Sequence, residues 1–239
     1  MRQPWSVLAR ARADEGVLEL RRRGESEFLI TVDGRVLMNS SANRSEIALG
    51  ALACARMGRV VEPRVLIGGL GMGCTLRAVL DAVPPGARVR VAELNPVIWE
   101  WCLGPLATLT GGAAGDPRVT IEIADVADVI RRASVMAESH FHAIILDLYE
   151  GPHARVDKKD DPLYGSRAIE FARAALKPGG VLAVWGENYD AGFEKRLRAV
   201  GFAVATERPG RGGLRHVVYL ATAPRTKPGG GCDKLRSQP

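Results

Sequence analysis

The sequence predicts an α/β fold, a doubly wound and mostly parallel seven-stranded sheet, with a small N-terminal β-domain. Three observations predict it. Val65-Leu66-Ile67 runs into glycines 68, 69, 71 and 73 and then into an apolar helical pattern, Cys74 to Val83. That reads as strand, tight turn and helix N-terminus. From Arg64 onward strand-like and helix-like segments alternate, as in a parallel sheet covered on both faces. The chain before Ser45 is instead β-like and carries Asp33-Gly34, a strong hairpin turn.

Taken in order, Val17–Arg21 and Glu27–Val32 alternate as strands, and Arg35–Met38 follows the hairpin turn. Ser45-Glu46 opens an apolar helix through Met57. Strands are expected near 64–68, 88–93, 118–122, 143–147 and 180–185. Helices are expected near 74–83, 96–103, 126–136, 166–176 and 191–199. Phe202–Glu207 and His216–Ala221 read as two closing strands, joined by Arg208-Pro209-Gly210-Arg211-Gly212-Gly213. The expected division is 1–44 for the β-domain, 45–223 for the sheet domain and 224–239 for a disordered tail containing Gly229-Gly230-Gly231.

Composition excludes several classes. The 239 residues are 46% hydrophobic with a mean hydropathy near zero, which suits one large globular domain. No apolar run reaches the length of a membrane span. Met1-Arg2-Gln3-Pro4-Trp5 lacks the apolar core of a secretory leader, so a cytoplasmic location is expected. The charge of +6 scatters over the chain and collects in its tail, aromatics are only 5%, and basic and aromatic residues do not interleave. No nucleic acid partner is therefore expected. Cys54, Cys74, Cys102 and Cys232 are widely spaced and pair with no His at metal-ligand intervals, so buried thiols and no metal are expected.

Ligands of a doubly wound sheet sit outside the carboxyl ends of the strands, so each strand end is a candidate. The first gives Gly69, Gly71 and Gly73. This G-x-G-x-G does not fit the dinucleotide spacing G-x-G-x-x-G in either frame, and it resembles the first motif of S-adenosylmethionine-dependent transferases. The second strand ends on Glu93, whose carboxylate can accept both hydroxyls of a ribose. After the third comes Asp125, which either accepts from an adenine amino group or caps the next helix. The fourth ends in Asp147-Leu148-Tyr149-Glu150-Gly151-Pro152, with two carboxylates suited to general-base work. The fifth ends at Trp185-Gly186-Glu187, so Asp147, Glu150 and Glu187 with Glu93 make an acidic mouth suited to an amine or a sulfonium. The polar segment His153–Gly165 reads either as a lid or as a solvated connector. His140, His142, His153 and His216 show no metal spacing and no nucleophile partner, and His153 alone is expected near the rim.

From about Val32 to Leu220 these residues resemble the spermidine synthase family, the polyamine aminopropyltransferases. The Asp33-Gly34 turn, Glu46, the glycines 68–73 against GGGDGG, Arg77, and Glu93-Leu94-Asn95-Pro96 against E-I-D-P carry the likeness. So do Asp147–Pro152 against D-S-S-D-P-x-G-P, Leu163-Tyr164 with Phe171, and Trp185-Gly186-Glu187 against Q-G-E. The resemblance implies a class I methyltransferase-like Rossmann fold. It implies a donor that is decarboxylated S-adenosylmethionine or S-adenosylmethionine, an amine acceptor, no metal and a homodimer. Asp147 and Glu150 would be catalytic. Gly69, Gly71, Gly73, Glu93 and Asp125 would hold the donor, and Glu187 and Tyr149 the acceptor.

The chain departs from the pattern where Gly71 replaces the Asp of GGGDGG and where Met38 and Ser45 stand near the missing Gln and Tyr. Arg208 stands for the Tyr before the last strand, and the loop after Asp147 is two residues shorter. A methyltransferase and a non-catalytic nucleoside-binding protein are the alternative readings.

Overall fold

Asp33 (φ 45°) and Gly34 (φ 78°) supply the two left-handed residues that a two-residue type I′ hairpin turn requires. The Asp33 carboxylate also accepts from the Val17 amide at 2.8 Å, which ties the turn to the neighbouring strand. β1 (Ser6–Ala13), β2 (Gly16–Arg23), β3 (Glu27–Val32) and β4 (Arg35–Asn39) thus form an antiparallel four-stranded meander in chain order. The computed structural model describes residues 3–14, 16–153, 155, 158–209 and 216–225.

β1 is the strand that the residue pattern did not predict. Ala9, Ala11 and Ala13 turn inward while Arg10 and Arg12 are exposed, so the period of two is present. Its inward residues are only methyl groups, with low strand propensity, and the edge position hides no large side chain.

The second sheet has seven strands. Its elements are α1 (Arg44–Met57), β5 (Arg64–Gly68), α2 (Cys74–Ala82), β6 (Arg88–Glu93), α3 (Pro96–Leu103), β7 (Val119–Ile123) and α4 (Val126–Ser134). They continue with β8 (Phe141–Leu146), α5 (Ser166–Ala174), β9 (Leu176–Gly186), α6 (Ala191–Ala199), β10 (Ala203–Glu207) and β11 (Val217–Thr222). The strand order is β10-β11-β9-β8-β5-β6-β7, with β11 antiparallel to both its neighbours, β10 and β9, and the remaining pairs parallel. This is the doubly wound, mostly parallel sheet that the alternation predicts.

The differences in boundaries are small. β9 begins at Leu176 rather than near 180, because Leu176 pairs with Phe141 across a register shift. That irregularity accommodates Pro178, which has no amide to donate to a regular ladder. α5 therefore stops at Ala174, α4 at Ser134, and β8 at Leu146.

Alternate residues of the buried strands feed two cores. Val65 and Ile67 join α1, α2, α3 and the β2–β3 side chains Leu18, Leu20, Phe28, Ile30 and Val32. Leu66 faces the other way, among α4, α5 and α6. Each fully buried aliphatic side chain contributes about 1.5–3 kcal/mol by leaving water. The N-terminal meander therefore shares one apolar core with the glycine-turn side of the large sheet. β5 is flanked by β6 on one side and β8 on the other, which opens a crevice at their carboxyl ends.

At the other end of the chain, Pro224 accepts from the Gly179 amide at 3.3 Å. Residues 226–239, with Cys232 and most of the tail expected to be disordered, lie outside the described residues, as do Asp157 and the 210–215 part of the last loop. Among the described residues no helix is long and apolar enough to cross a membrane.

Candidate functional site

The crevice is built by backbone before any side chain enters it. Gly69 has φ +85°, and a Cβ there would lie 2.4 Å from the Asp147 carbonyl oxygen. The turn after β5 can pass this close to the end of β8 only without a side chain. Two amides lock the arrangement: Gly69 donates to Ala92 O at 2.9 Å and Asp147 donates to Gly68 O at 2.9 Å.

Glu93 sits at the carboxyl end of β6 and is 8% exposed. Its Oε2 accepts from the Leu70 amide at 2.8 Å and its Oε1 from the Asn95 amide at 2.9 Å. Each carboxylate oxygen has a second lone pair, so the pair can still accept two hydroxyl donors. Glu93 therefore fixes the glycine turn and keeps capacity for a ribose diol. Asn95 then leads into α3, whose first residue is Pro96.

Asp147 follows β8 and meets α2 and α1. Thr75 Oγ1 lies 2.5 Å from Asp147 Oδ2 and 3.0 Å from the Glu46 carbonyl oxygen. A hydroxyl has one proton, so Thr75 donates to one of these oxygens at a time, and its donation to Asp147 favours the carboxylate. Burial of the Asp147 carboxyl, against the lowering effect of the Thr75 contact and with the nearby Glu46 charge, pushes its pKa up to about 7. A carboxyl poised there can give and take a proton near neutral pH.

A pocket opens over Asp147. Met38, Asn39, Asn43 and Glu46 line one wall, from the meander and α1, and Leu70, Met72 and Cys74 line the other. Met38 explains two departures at once. Gly71 has φ +53°, and a Cβ there would come within 2.4 Å of Met38 Cε and 2.7 Å of Sδ. The missing acid and the missing Gln are thus in contact, and a thioether covers the place a carboxylate would take. Burial pushes the Cys74 thiol up to about 11 and the Cys102 thiol up to about 12, so neither is a ready nucleophile.

The remaining predicted residues lie around this centre and not in the pocket lining. Glu150, Tyr149 and Glu187 are exposed at the ends of β8 and β9. The Arg35 guanidinium stands 5.6 Å over the Tyr149 ring, which brings the hairpin turn to that loop. Exposed Asp125 caps α4, accepting from the Ala127 amide at 2.8 Å through Oδ1. The acid that shares the pocket lining with Asp147 is Glu46, which the sequence had matched but had not placed in the site. Thr75 was missed because it carries no motif, and Met38 was read only as standing near the missing Gln. In the segment expected to be a lid or a connector, the buried Tyr164 hydroxyl donates to the Glu150 carbonyl at 2.7 Å.

His153 accepts from the Arg155 amide in a local turn, and His216 lies 3.0 Å from Ser45, the residue before pocket-lining Glu46. The strand pairing of β11 with β9 brings it there, a long-range placement no local spacing can show. Among the described residues no group of three or more His, Cys, Asp or Glu could hold a metal ion.

This fold is a Rossmann-like α/β sheet of the methyltransferase type, joined to an antiparallel meander. Within that class, the fold is the one spermidine synthases have. The spermidine synthase of Thermotoga maritima matches with a TM-score of 0.70 at 21% identity, covering 90% of this chain and 72% of that one. A spermidine synthase in complex with the transition-state analogue AdoDATO matches with 0.69 at 20% identity, covering 90% and 72%. A probable spermidine synthase of Corynebacterium glutamicum matches with 0.62 at 18%, covering 91% and 80%. In sequence, polyamine aminopropyltransferase 2 of Pseudomonas aeruginosa is 32% identical over 139 residues, which are 56% of this chain and 36% of that protein. The aligned stretch thus spans about a third of that relative. No family model matches. The chain is spermidine synthase-like in fold and, over that stretch, in sequence.

Two stability outcomes follow. Gly69→Ala should cost more than about 2 kcal/mol, read as a lowered Tm, because backbone blocks the new methyl and φ is left-handed. Asp147→Asn should do the opposite. Folding raises the Asp147 pKa, so ionisation opposes folding from about pH 4 upward and fully above about pH 7. Asn removes that penalty and can still accept from Thr75 through its amide oxygen, so Tm should rise above neutral pH and not below about pH 4.

Proposed function

We propose that the chain is a transferase of the spermidine synthase type. It moves an aminopropyl-type group from decarboxylated S-adenosylmethionine, or from S-adenosylmethionine itself, to an amine. The observation that carries this is the half-buried Asp147 carboxyl, raised toward neutral pH where the glycine turn meets the end of β8. Asp147 takes a proton from the acceptor ammonium. The freed amine attacks the carbon beside the sulfonium, the C–S bond breaks toward sulfur, and a neutral thioether departs.

Gly69, Gly71 and Gly73 hold the donor, with Glu93 on its ribose hydroxyls and Asp125 free at Oδ2 for an adenine amino group. Glu150, the proposed second catalytic acid, stands with Tyr149 and Glu187 further out, where they hold the distal ammonium of the acceptor. The family likeness further supports a homodimer and a cytoplasmic location. It also supports a division near residue 44 between the meander and the transferase domain.

Met38 over Gly71 favours a second reading, an S-adenosylmethionine-dependent methyltransferase. A thioether at that position offers no counter-charge to a cationic donor tail, so the donor's tail meets different chemistry here. The product separates the two. Methylthioadenosine means aminopropyl transfer, and S-adenosylhomocysteine means methyl transfer.

The test incubates the protein with each donor and a panel of amines and measures both thioethers by mass spectrometry. Methylthioadenosine formed from the decarboxylated donor is the expected result. Asp147→Asn should lower turnover by about 10²–10⁴-fold while leaving nucleoside binding intact. Neither thioether with any amine, together with intact nucleoside binding, would leave a binding protein.

The pH profile is a further check. Asp147 works as a base, so kcat/KM should fall about tenfold per pH unit below about pH 7 and level off above it. Thr75→Val removes the contact that favours the ionised form, so the midpoint should move to higher pH, and Thr75→Ser should restore it.

A further inference from the structure

Ser45 and His216 form a hydrogen-bonded link to the pocket that the transfer chemistry above does not use. Ser45, at the start of α1, is 6% exposed, and its hydroxyl lies 2.8 Å from Glu46 Oε2 and 3.0 Å from His216 Nδ1. His216 immediately precedes β11, and its ring stands edge-on to Trp185 of β9, with centroids 4.9 Å apart. The contact crosses 171 residues of sequence, so it exists only in the folded chain.

Hydrogen counting gives the link a direction. Serine has one proton to donate. A Glu46 carboxylate only accepts, so the Ser45 proton must point to Oε2. His216 Nδ1 must then carry a proton and donate to Ser45 Oγ. The chain runs His216 Nδ1–H to Ser45 O–H to Glu46 carboxylate, every donor aimed at the acid. A protonated Glu46 would reverse the Ser45 proton and require a bare Nδ1.

Glu46 matters because of what it faces. The titratable groups coupled to Asp147 from packed elements include Glu46 of α1, Cys74 of α2 and Tyr164 from the segment before α5. Burial pushes the thiol up to about 11 and the phenol up as well, so both stay neutral near pH 7. Of these three, Glu46 is the group whose charge raises Asp147.

We propose that His216 is a positioning residue which, through Ser45, orients the Glu46 side chain beside Asp147 in the pocket. Glu46 in turn keeps the proton affinity of Asp147 high. The role is distinct from substrate contact, since His216 reaches the pocket only through the hydroxyl.

The experiment is long-range ¹H–¹⁵N NMR of the full chain, with the His216 signals assigned by their loss in His216→Asn. The expected result is a neutral His216 protonated at Nδ1, the minor tautomer of free histidine. Ser45→Ala should shift it to Nε2–H, and Ser45→Thr, which keeps the hydroxyl, should restore Nδ1–H. A bare Nδ1 in the wild-type protein, or a tautomer indifferent to Ser45→Ala, would overturn the proposal.

A second arm rests on the transferase reading above. Ser45→Ala and His216→Asn should move the midpoint of the kcat/KM profile to lower pH. The ratio of rates at about pH 6 to about pH 9 should rise about threefold, with Ser45→Thr unchanged. An unmoved midpoint in an active enzyme would overturn the proposal. Absence of any transfer would count against the transferase reading alone, because the tautomer decides His216 without turnover.

Discussion

The approach of the β5 turn to the backbone of Asp147 sets the geometry of everything else in the site. The two segments are hydrogen-bonded neighbours, Gly68 to Asp147, at the point where the sheet changes direction. Because Gly69 removes the only side chain that would hold them apart, the floor of the crevice is rigid backbone on both sides. Glu93 braces the same turn from β6 through the Leu70 amide. The site therefore borrows its precision from the sheet, and only its walls depend on side-chain conformation.

Those walls come from elsewhere in the chain. Met38 and Asn39 belong to β4, Asn43 and Glu46 to the entry of α1, and all are held against the large sheet by the shared core beneath them. The meander is thus more than an appendage: Leu18, Leu20, Phe28, Ile30 and Val32 bury one of its faces on the glycine-turn side. That packing places one wall of the pocket. Burial then does the electrostatic work. In an exposed loop Asp147 would titrate as an ordinary aspartate, and here the low-dielectric surroundings and the Glu46 charge move it toward neutrality.

What was legible in the sequence was what local chemistry writes there. The glycine turn, Glu93 with its Asn95-Pro96 helix start, Asp147 at a strand end and the Asp33-Gly34 hairpin each follow from a backbone requirement or a position in the α/β alternation. β1 was not legible because its inward face is alanine. Thr75, Met38 and His216 were not legible because their roles arise from contacts across 72, 33 and 171 positions, set by packing rather than by neighbours. Asp125 illustrates the middle case. Its capping role is a local one and is seen, while any contact to a base depends on the ligand.

Met38 and Gly71 show why the departures from the family pattern must be read together. Taken one at a time, each is the loss of a polar group from a binding site. In three dimensions the methionine occupies the space above the glycine, so the two form one apolar surface in place of two polar contacts. Restoring an acid at Gly71 alone would drive its Cβ into the thioether at a left-handed backbone position, and replacing Met38 alone would expose an uncharged turn. Either change leaves the other half unmatched. The change at this position is therefore a property of the pair, while Glu93, the glycine turn and Asp147 keep the geometry that the proposed donor and base roles require.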